Sequence, residues 1–123
     1  MSHKKRKTSA NQSVISSIEK LNFPLKNNIG NNVFLKRINS KHDRSNHIAK
    51  QYHGLNGDDI KLIPEILKNP VYVTKDPNHK EKKNYYGRRL KSHKILFIKI
   101  VTKVQSHDCE EIITVFTTNH IKH

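Results

Sequence analysis

The sequence has one cysteine, Cys109, no tryptophan, and four glycines and four prolines among its 123 residues. A single cysteine excludes an intramolecular disulfide framework and a multi-cysteine zinc site within the chain. No run of about 18 uncharged apolar residues occurs, so a membrane-spanning helix is not expected. The basic first residues also lack the apolar stretch of a secretory signal. Since there is no glycine-rich phosphate loop, nucleotide hydrolysis and dinucleotide binding have no support.

Acidic residues are scarce, with 10 Asp and Glu against 24 Lys and Arg and a formal net charge of +14. The excess lies in two blocks, residues 1–40 with a net charge of +7 and residues 75–94 with +6. Apolar residues concentrate in the nearly neutral remainder. This division predicts a folded body that carries a basic arm and a basic loop, and it favours a polyanion as partner.

The chain is long enough for one small domain. We expect a flexible basic arm over residues 1–12, and an N-terminal extension with a short helix and a candidate strand over residues 13–40. Residues 41–123 are expected to form an α+β domain with a ribonuclease-like arrangement.

Within that domain, the pattern predicts a helix ending near His53 and a second helical segment that restarts near Ile63 because of Pro64. Four strands follow, with alternating apolar residues strongest over residues 95–104. We therefore expect N-terminal helices packed on a C-terminal four-stranded antiparallel sheet.

Three side chains recur at every third position of the predicted helix, namely His47, Lys50 and His53. At this spacing they share a broad face of the helix. Two imidazoles beside an ammonium group suit a general base, a general acid and a phosphate ligand. The alternative is coincidence, because a chain with nine histidines will place some of them together.

Aromatic and basic residues alternate in the second basic block, at Lys82, Lys83, Tyr85, Tyr86, Arg88 and Arg89. Tyrosine rings stack on unpaired bases and arginines bind phosphate through two hydrogen bonds, so this segment is a candidate RNA-binding surface. A strand with its tyrosines in the core and its arginines in solvent explains the segment equally well.

Metal ligands are not predicted. His107-x-Cys109 and His120-x-x-His123 lack the partner ligands of a zinc site, and no paired carboxylates mark a magnesium-dependent nuclease. Thr114 lies in an otherwise apolar predicted strand, where a threonine is more often a strand former than a functional group.

The order of these motifs resembles the phage-associated branch of the barnase/EndoU/colicin/RelE-like nuclease superfamily. The resemblance rests on His47-Ile48-x-Lys50-x-x-His53, on residues 63–70, and on Ile112-Ile113-Thr114-Val115-Phe116. It implies a metal-independent endoribonuclease without a cofactor, often a toxin. His47 and His53 match the helix histidines of that family, and Thr114 matches the threonine of its last strand. Tyr52 stands where the family often has a basic residue, which moves phosphate binding to Lys50, Arg88 and Arg89.

The expected reaction is transesterification by the 2′-OH of RNA, which leaves 2′,3′-cyclic phosphate ends. In this hypothesis His47 and His53 divide the proton transfers in an undecided order, and Thr114 and Arg88 contact the phosphate. The expected partners are RNA (tRNA, mRNA or rRNA) and an antitoxin or immunity protein, in the cytoplasm and without a membrane. The alternative is a non-catalytic basic RNA-binding protein associated with ribosomes or a packaged genome. A DNA-binding regulator is less favoured, because Pro64 interrupts the segment that a recognition helix would need.

Overall fold

Strands make up most of the fold. The structure is a computed structural model that describes residues 14, 16–35, 55–89 and 96–119. One curled sheet contains six strands: β1 (Leu25–Lys26), β2 (Asn32–Leu35), β3 (Tyr72–Lys75), β4 (Lys82–Arg89), β5 (Leu96–Ser106) and β6 (Cys109–Thr118). Their order across the sheet is β1-β2-β6-β5-β4-β3. Within the described ranges every neighbouring pair is antiparallel except β2 and β6, which run parallel.

Two short helices, α1 (Gly57–Lys61) and α2 (Ile63–Lys68), precede β3 in the chain. Helix α1 begins with a capping box: the Asn56 side chain accepts from the Asp59 N–H, and the Asp59 carboxylate accepts from the Asn56 N–H. Pro64 lies in the first turn of α2, where its missing N–H leaves no helical hydrogen bond unmade. The predicted restart near Ile63 is confirmed. Residues 14 and 16–19 are also helical.

The core lies on one face of the sheet, beneath the two helices. The strands contribute alternate apolar side chains to this face, and the helices cover them with Ile60, Ile63, Ile66 and Leu67. Ile66 of α2 packs against Gly87 of β4, where a Cβ atom would overlap the Ile66 side chain. The glycine therefore sets how near the helix lies to the sheet.

The predicted fold class is wrong. In the described residues the sheet has six strands with mixed pairing rather than four antiparallel ones, and α1 and α2 are short segments in the middle of the chain. The four predicted strands correspond to β3–β6, but β1 and β2 extend the sheet beyond β6. Local periodicity marks a strand without naming its partner, so it could not show that β2 pairs with the distant β6. The predicted helix ending near His53 lies outside the described residues.

None of the helices in the described ranges is long and apolar enough to cross a membrane.

Candidate functional site

An open pocket of about 500 Å³ lies at one end of the sheet, where the β1–β2, β3–β4 and β5–β6 connections meet. Backbone hydrogen bonds join these connections. The Asn32 N–H donates to the Asp108 carbonyl at 2.9 Å, and the Val104 N–H donates to the Glu81 carbonyl at 2.6 Å. The pocket is lined by Ile29, Asn31, Lys75, Lys80, Glu81, Lys83, Val104, His107 and Glu110.

The carboxylate of Glu110 is fully buried at the inner side of this pocket. Its Oε1 accepts hydrogen bonds from the Tyr85 hydroxyl at 2.6 Å and the Thr102 hydroxyl at 2.8 Å. Its Oε2 accepts from Asn27 Nδ2 and Lys83 Nζ, both at 3.0 Å. A buried carboxylate is tolerated only when it is paired and hydrogen-bonded, and these four donors meet that requirement. We call these five residues the Glu110 network.

The network fixes the protonation states of its members. Burial acts to raise the pKa of Glu110, but hydrogen bonds from Tyr85, Thr102 and Lys83 outweigh it and lower this pKa below its usual 4.5. Burial acts to lower the pKa of Lys83, but the Tyr85 oxygen and the Glu110 carboxylate outweigh it and raise this pKa above 10.5. Burial, aided by the hydrogen bond to Glu110, raises the pKa of Tyr85 above 10.0. At neutral pH the network therefore holds an ammonium–carboxylate pair and a neutral phenol.

Lys83 is a positioned cation at the pocket wall. Its ammonium group is bound to Glu110 and lies 5.2 Å from the centre of the Tyr85 ring, and its side chain is 14% exposed. Lys75 and Lys80 are exposed at the pocket rim. In the part of the chain that the structure describes, neither of these two lysines forms an ion pair. Two carboxylates, Glu81 and Glu110, line the pocket as well, so the arrangement suits a polyanion with one phosphate at the fixed ammonium group and others at the two mobile ones.

Asn27 connects the β1–β2 loop to the Glu110 network. Its side-chain oxygen accepts from the backbone N–H groups of Ile29 and Asn31 at 3.1 and 2.8 Å. Its amide nitrogen donates to the Tyr85 hydroxyl at 2.9 Å as well as to Glu110. Gly30 completes the loop with a φ of 85°, a conformation that glycine adopts without strain. The loop is therefore held at the pocket by a buried side chain.

The two tyrosines of the predicted RNA-binding segment are both fully buried. Tyr85 belongs to the Glu110 network, and Lys99 lies over the Tyr86 ring at 5.6 Å from its centre. Neither ring is available for stacking on a base. Their burial agrees with the alternative interpretation for Tyr85, which belongs to the core beneath the helices, whereas Tyr86 is buried on the opposite face of the sheet.

The two arginines of that segment lie on opposite faces of the sheet, because successive strand residues alternate. Arg89 forms a two-point contact with Asp59, with Nε at 3.0 Å from Oδ1 and Nη2 at 2.9 Å from Oδ2. This contact commits its guanidinium to the start of α1. Arg88 is exposed on the other face.

Thr114 and Arg88 share a face of the sheet but are not brought together. Thr114 pairs with Val101 of β5, whereas Arg88 pairs with Phe97 of the same strand. Four residues along a strand and two strand spacings put the Cα atoms of Thr114 and Arg88 about 16 Å apart. The strand register thus does not place the two residues around one phosphate.

Two more predicted site residues, Lys82 and Lys83, also lie on opposite faces of the sheet. Lys83 lines the pocket, whereas Lys82 pairs with Lys103 and points to the opposite face of the sheet. His47, Lys50 and His53 lie outside the described residues.

Sequence reasoning missed Glu110, Asn27 and Thr102. Two of them carried a usable signal. Thr102 continues the inward alternation of Ile98 and Ile100, and Glu110 precedes the inward-facing Ile112 by two residues. Polar side chains on the apolar face of two paired strands indicate a buried hydrogen-bond network. Asn27 carried no such signal, because its position next to the strands depends on the unpredicted pairing of β1.

Among the described residues, no group of three or more His, Cys, Asp and Glu side chains is placed to hold a metal ion. Comparison of the chain with protein-family models, with curated proteins and with solved structures finds no match. The pocket and its charges are therefore the features of the molecule that indicate a function.

The Glu110 network predicts how stability depends on pH. Tyr85 and Lys83 have raised pKa values in the folded state, so their contributions are complete below pH 10.0 and 10.5 and are lost as the pH rises through the folded values. Glu110 has a lowered pKa, so its contribution is present above pH 4.5 and is lost as the pH falls through its folded value. We expect urea midpoints to fall on both sides of this window.

The Tyr85→Phe variant separates the phenol from the other groups. It is expected to lose less stability between neutral pH and pH values above 10.0 than the unmodified protein does, because it has no buried phenol to deprotonate. Tyr72→Phe, at a residue that is 41% exposed, is the matched control and should keep the original alkaline slope. Equal slopes in all three proteins would contradict the assignment.

Proposed function

We propose that the protein binds single-stranded RNA in the cytoplasm. The binding site is the cationic pocket where the β1–β2, β3–β4 and β5–β6 connections meet. The observation that carries this proposal is the Lys83 ammonium group, which Glu110 fixes at the pocket wall beside the exposed Lys75 and Lys80. A net charge of +14 supports a polyanionic partner, since lysines that neutralise phosphates release bound counterions.

The size and polarity of the pocket favour an unpaired strand. A volume of about 500 Å³ lies in the range of small-molecule sites and is too small to admit a duplex. The side chains of Asn31 and Glu81 line the same pocket and provide hydrogen-bonding groups for a ribose hydroxyl next to a bound phosphate. Both features match one nucleotide of a single strand.

A direct test is fluorescence anisotropy with a short labelled single-stranded RNA between about 50 and 200 mM salt. One phosphate at Lys83 and two neighbouring phosphates at Lys75 and Lys80 predict that log K falls against log salt with a slope of about −2. Duplex RNA and single-stranded DNA of the same length serve as competitors. Absence of binding at low salt, or tighter binding of the duplex, would reject the proposal.

A second candidate function is that of a metal-independent endoribonuclease. Its expected partner is an antitoxin or immunity protein. The observation that favours it is the spacing of His47, Lys50 and His53, which suits acid–base cleavage of a bound RNA. In this version the pocket holds the strand and the histidines transfer protons. Because Arg88 and Thr114 are too far apart to contact one phosphate together, the pocket lysines bind the phosphate in this version.

The nuclease candidate predicts that tRNA or total RNA is cut in EDTA to fragments with 2′,3′-cyclic phosphate ends. His47→Ala and His53→Ala should each reduce the cleavage rate by about 100-fold or more while RNA binding remains. His123→Ala, at a histidine that the nuclease hypothesis does not use, is the control and should cleave normally. If RNA stays intact at all protein concentrations, the nuclease candidate is rejected and the binding function stands alone.

A further inference from the structure

The pocket combines an exposed aliphatic side chain with ammonium groups. We infer that it receives one unpaired nucleotide, whose phosphate lies at Lys83 and whose base or ribose packs against Ile29. This inference rests on the proposed RNA binding and specifies the unit that is bound. It differs from a general cationic surface, which would bind phosphates without contacting the rest of the nucleotide.

The aliphatic contact comes from Ile29, which is 66% exposed and lies at the pocket. A large apolar side chain can remain in water without a function, but this one is held in place. Its backbone N–H is bound by Asn27, whose amide is itself bound to Glu110. The loop that carries Ile29 is therefore fixed relative to the inner side of the pocket, and Val104 adds a second apolar surface.

The phosphate contact comes from Lys83. Its ammonium group has three N–H donors, and the contacts with Glu110 and Tyr85 use two of them, which leaves one donor for the pocket. Because Glu110 and Tyr85 hold this group, less side-chain entropy is lost when an anion binds than at a mobile lysine. Lys75 and Lys80 add positive charge at the same opening.

One buried side chain thus couples the two contacts. Asn27 binds Glu110, which fixes Lys83, and it also binds the backbone of the loop that carries Ile29. The phosphate and the base of a nucleotide are joined by a single ribose, so a ligand of this kind requires a cation and an apolar surface at a constant separation. Asn27 keeps this separation constant, because it is bound both to Glu110 and to the loop that carries Ile29.

The test compares adenosine 5′-monophosphate and uridine 5′-monophosphate with inorganic phosphate, by NMR titration of the labelled full-length protein. Each nucleotide is expected to bind about tenfold more tightly than phosphate, the factor that partial burial of one aliphatic side chain provides. Ile29→Ser should abolish that tenfold difference without weakening phosphate binding. Lys83→Gln should weaken both ligands.

Val71→Ser is the matched control, because Val71 is 51% exposed but does not line the pocket, and it should bind like the unmodified protein. If nucleotides bind no more tightly than phosphate, or if Ile29→Ser leaves the difference unchanged, the inference is overturned. Single-stranded RNA is titrated in parallel. If RNA binds while the nucleotide preference is absent, the proposed function survives without this inference, and if RNA does not bind, both are rejected.

Discussion

Replacing Glu110 by glutamine is expected to lower the free energy of unfolding by about 3–5 kcal/mol, although the two side chains have nearly the same shape. All four groups that contact the Glu110 carboxylate donate hydrogen bonds to it. A glutamine amide would place its own N–H₂ group against two of these donors. The substitution would also leave the Lys83 ammonium group without its counter-charge.

Urea unfolding followed by circular dichroism measures this loss. The matched control is Glu111→Gln, at the next residue of β6, whose carboxylate accepts from Gln105 in an exposed position. This control should change stability by no more than about 0.5 kcal/mol. Adding Lys83→Met to Glu110→Gln should recover part of the loss, because removing a whole ion pair is much less costly than removing one partner. Equal losses for Glu110→Gln and Glu111→Gln would show that the Glu110 network does not support the fold.

Changing the three pocket lysines together is expected to weaken binding of single-stranded RNA by about 100-fold at 0.1 M salt. Each ammonium–phosphate contact contributes about 0.7 to the salt slope for a single strand, so three contacts account for about two powers of ten at this concentration. The variant carries Lys75→Gln, Lys80→Gln and Lys83→Gln. Its log–log salt slope should be smaller in magnitude by about 2, as measured by anisotropy.

A second triple variant controls for net charge. Lys20→Gln, Lys61→Gln and Lys68→Gln remove the same charge at exposed positions that do not line the pocket. We expect affinity within about threefold of the original, because these lysines do not line the pocket and salt screens exposed charges. Lys75→Gln with Lys80→Gln keeps the Glu110 network intact and should lose about 25-fold. Similar losses in the two triple variants would mean that RNA contacts the surface diffusely.

Local sequence patterns were sufficient to predict individual helices and strands. The alternation of Ile98 and Ile100 predicted an inward face of β5, and both residues are fully buried. Pro64 predicted where the helical segment restarts, because proline fits the first turn of a helix and not its interior. The same patterns did not predict the sheet, since β1 has two residues and the partner of β2 lies far away in the chain.

The candidate site was predicted in part. Lys83 belonged to the expected RNA-binding segment and lines the pocket. The two tyrosines named with it are buried, Arg89 is paired with Asp59, and Arg88 is exposed. Alternating residues on one strand are divided between two faces, so a linear cluster of six cannot form one surface. Glu110 was not among the predicted site residues. Its role depends on four donors from other strands and loops, which a linear reading does not bring together.

The parallel pairing of β2 with β6 has a kinetic consequence. Strands β3–β6 are joined in sequence order, whereas the Asn27–Glu110 hydrogen bond closes a loop of 83 positions. Closing so long a loop costs conformational entropy before any favourable contact forms. We expect such contacts to form late in folding. We therefore expect the first strands to dock onto a sheet that is already assembled. Until they do, Glu110 lacks one of its donors and Ile29 lacks its anchor, so a chain that has not finished folding has no complete pocket with which to capture RNA.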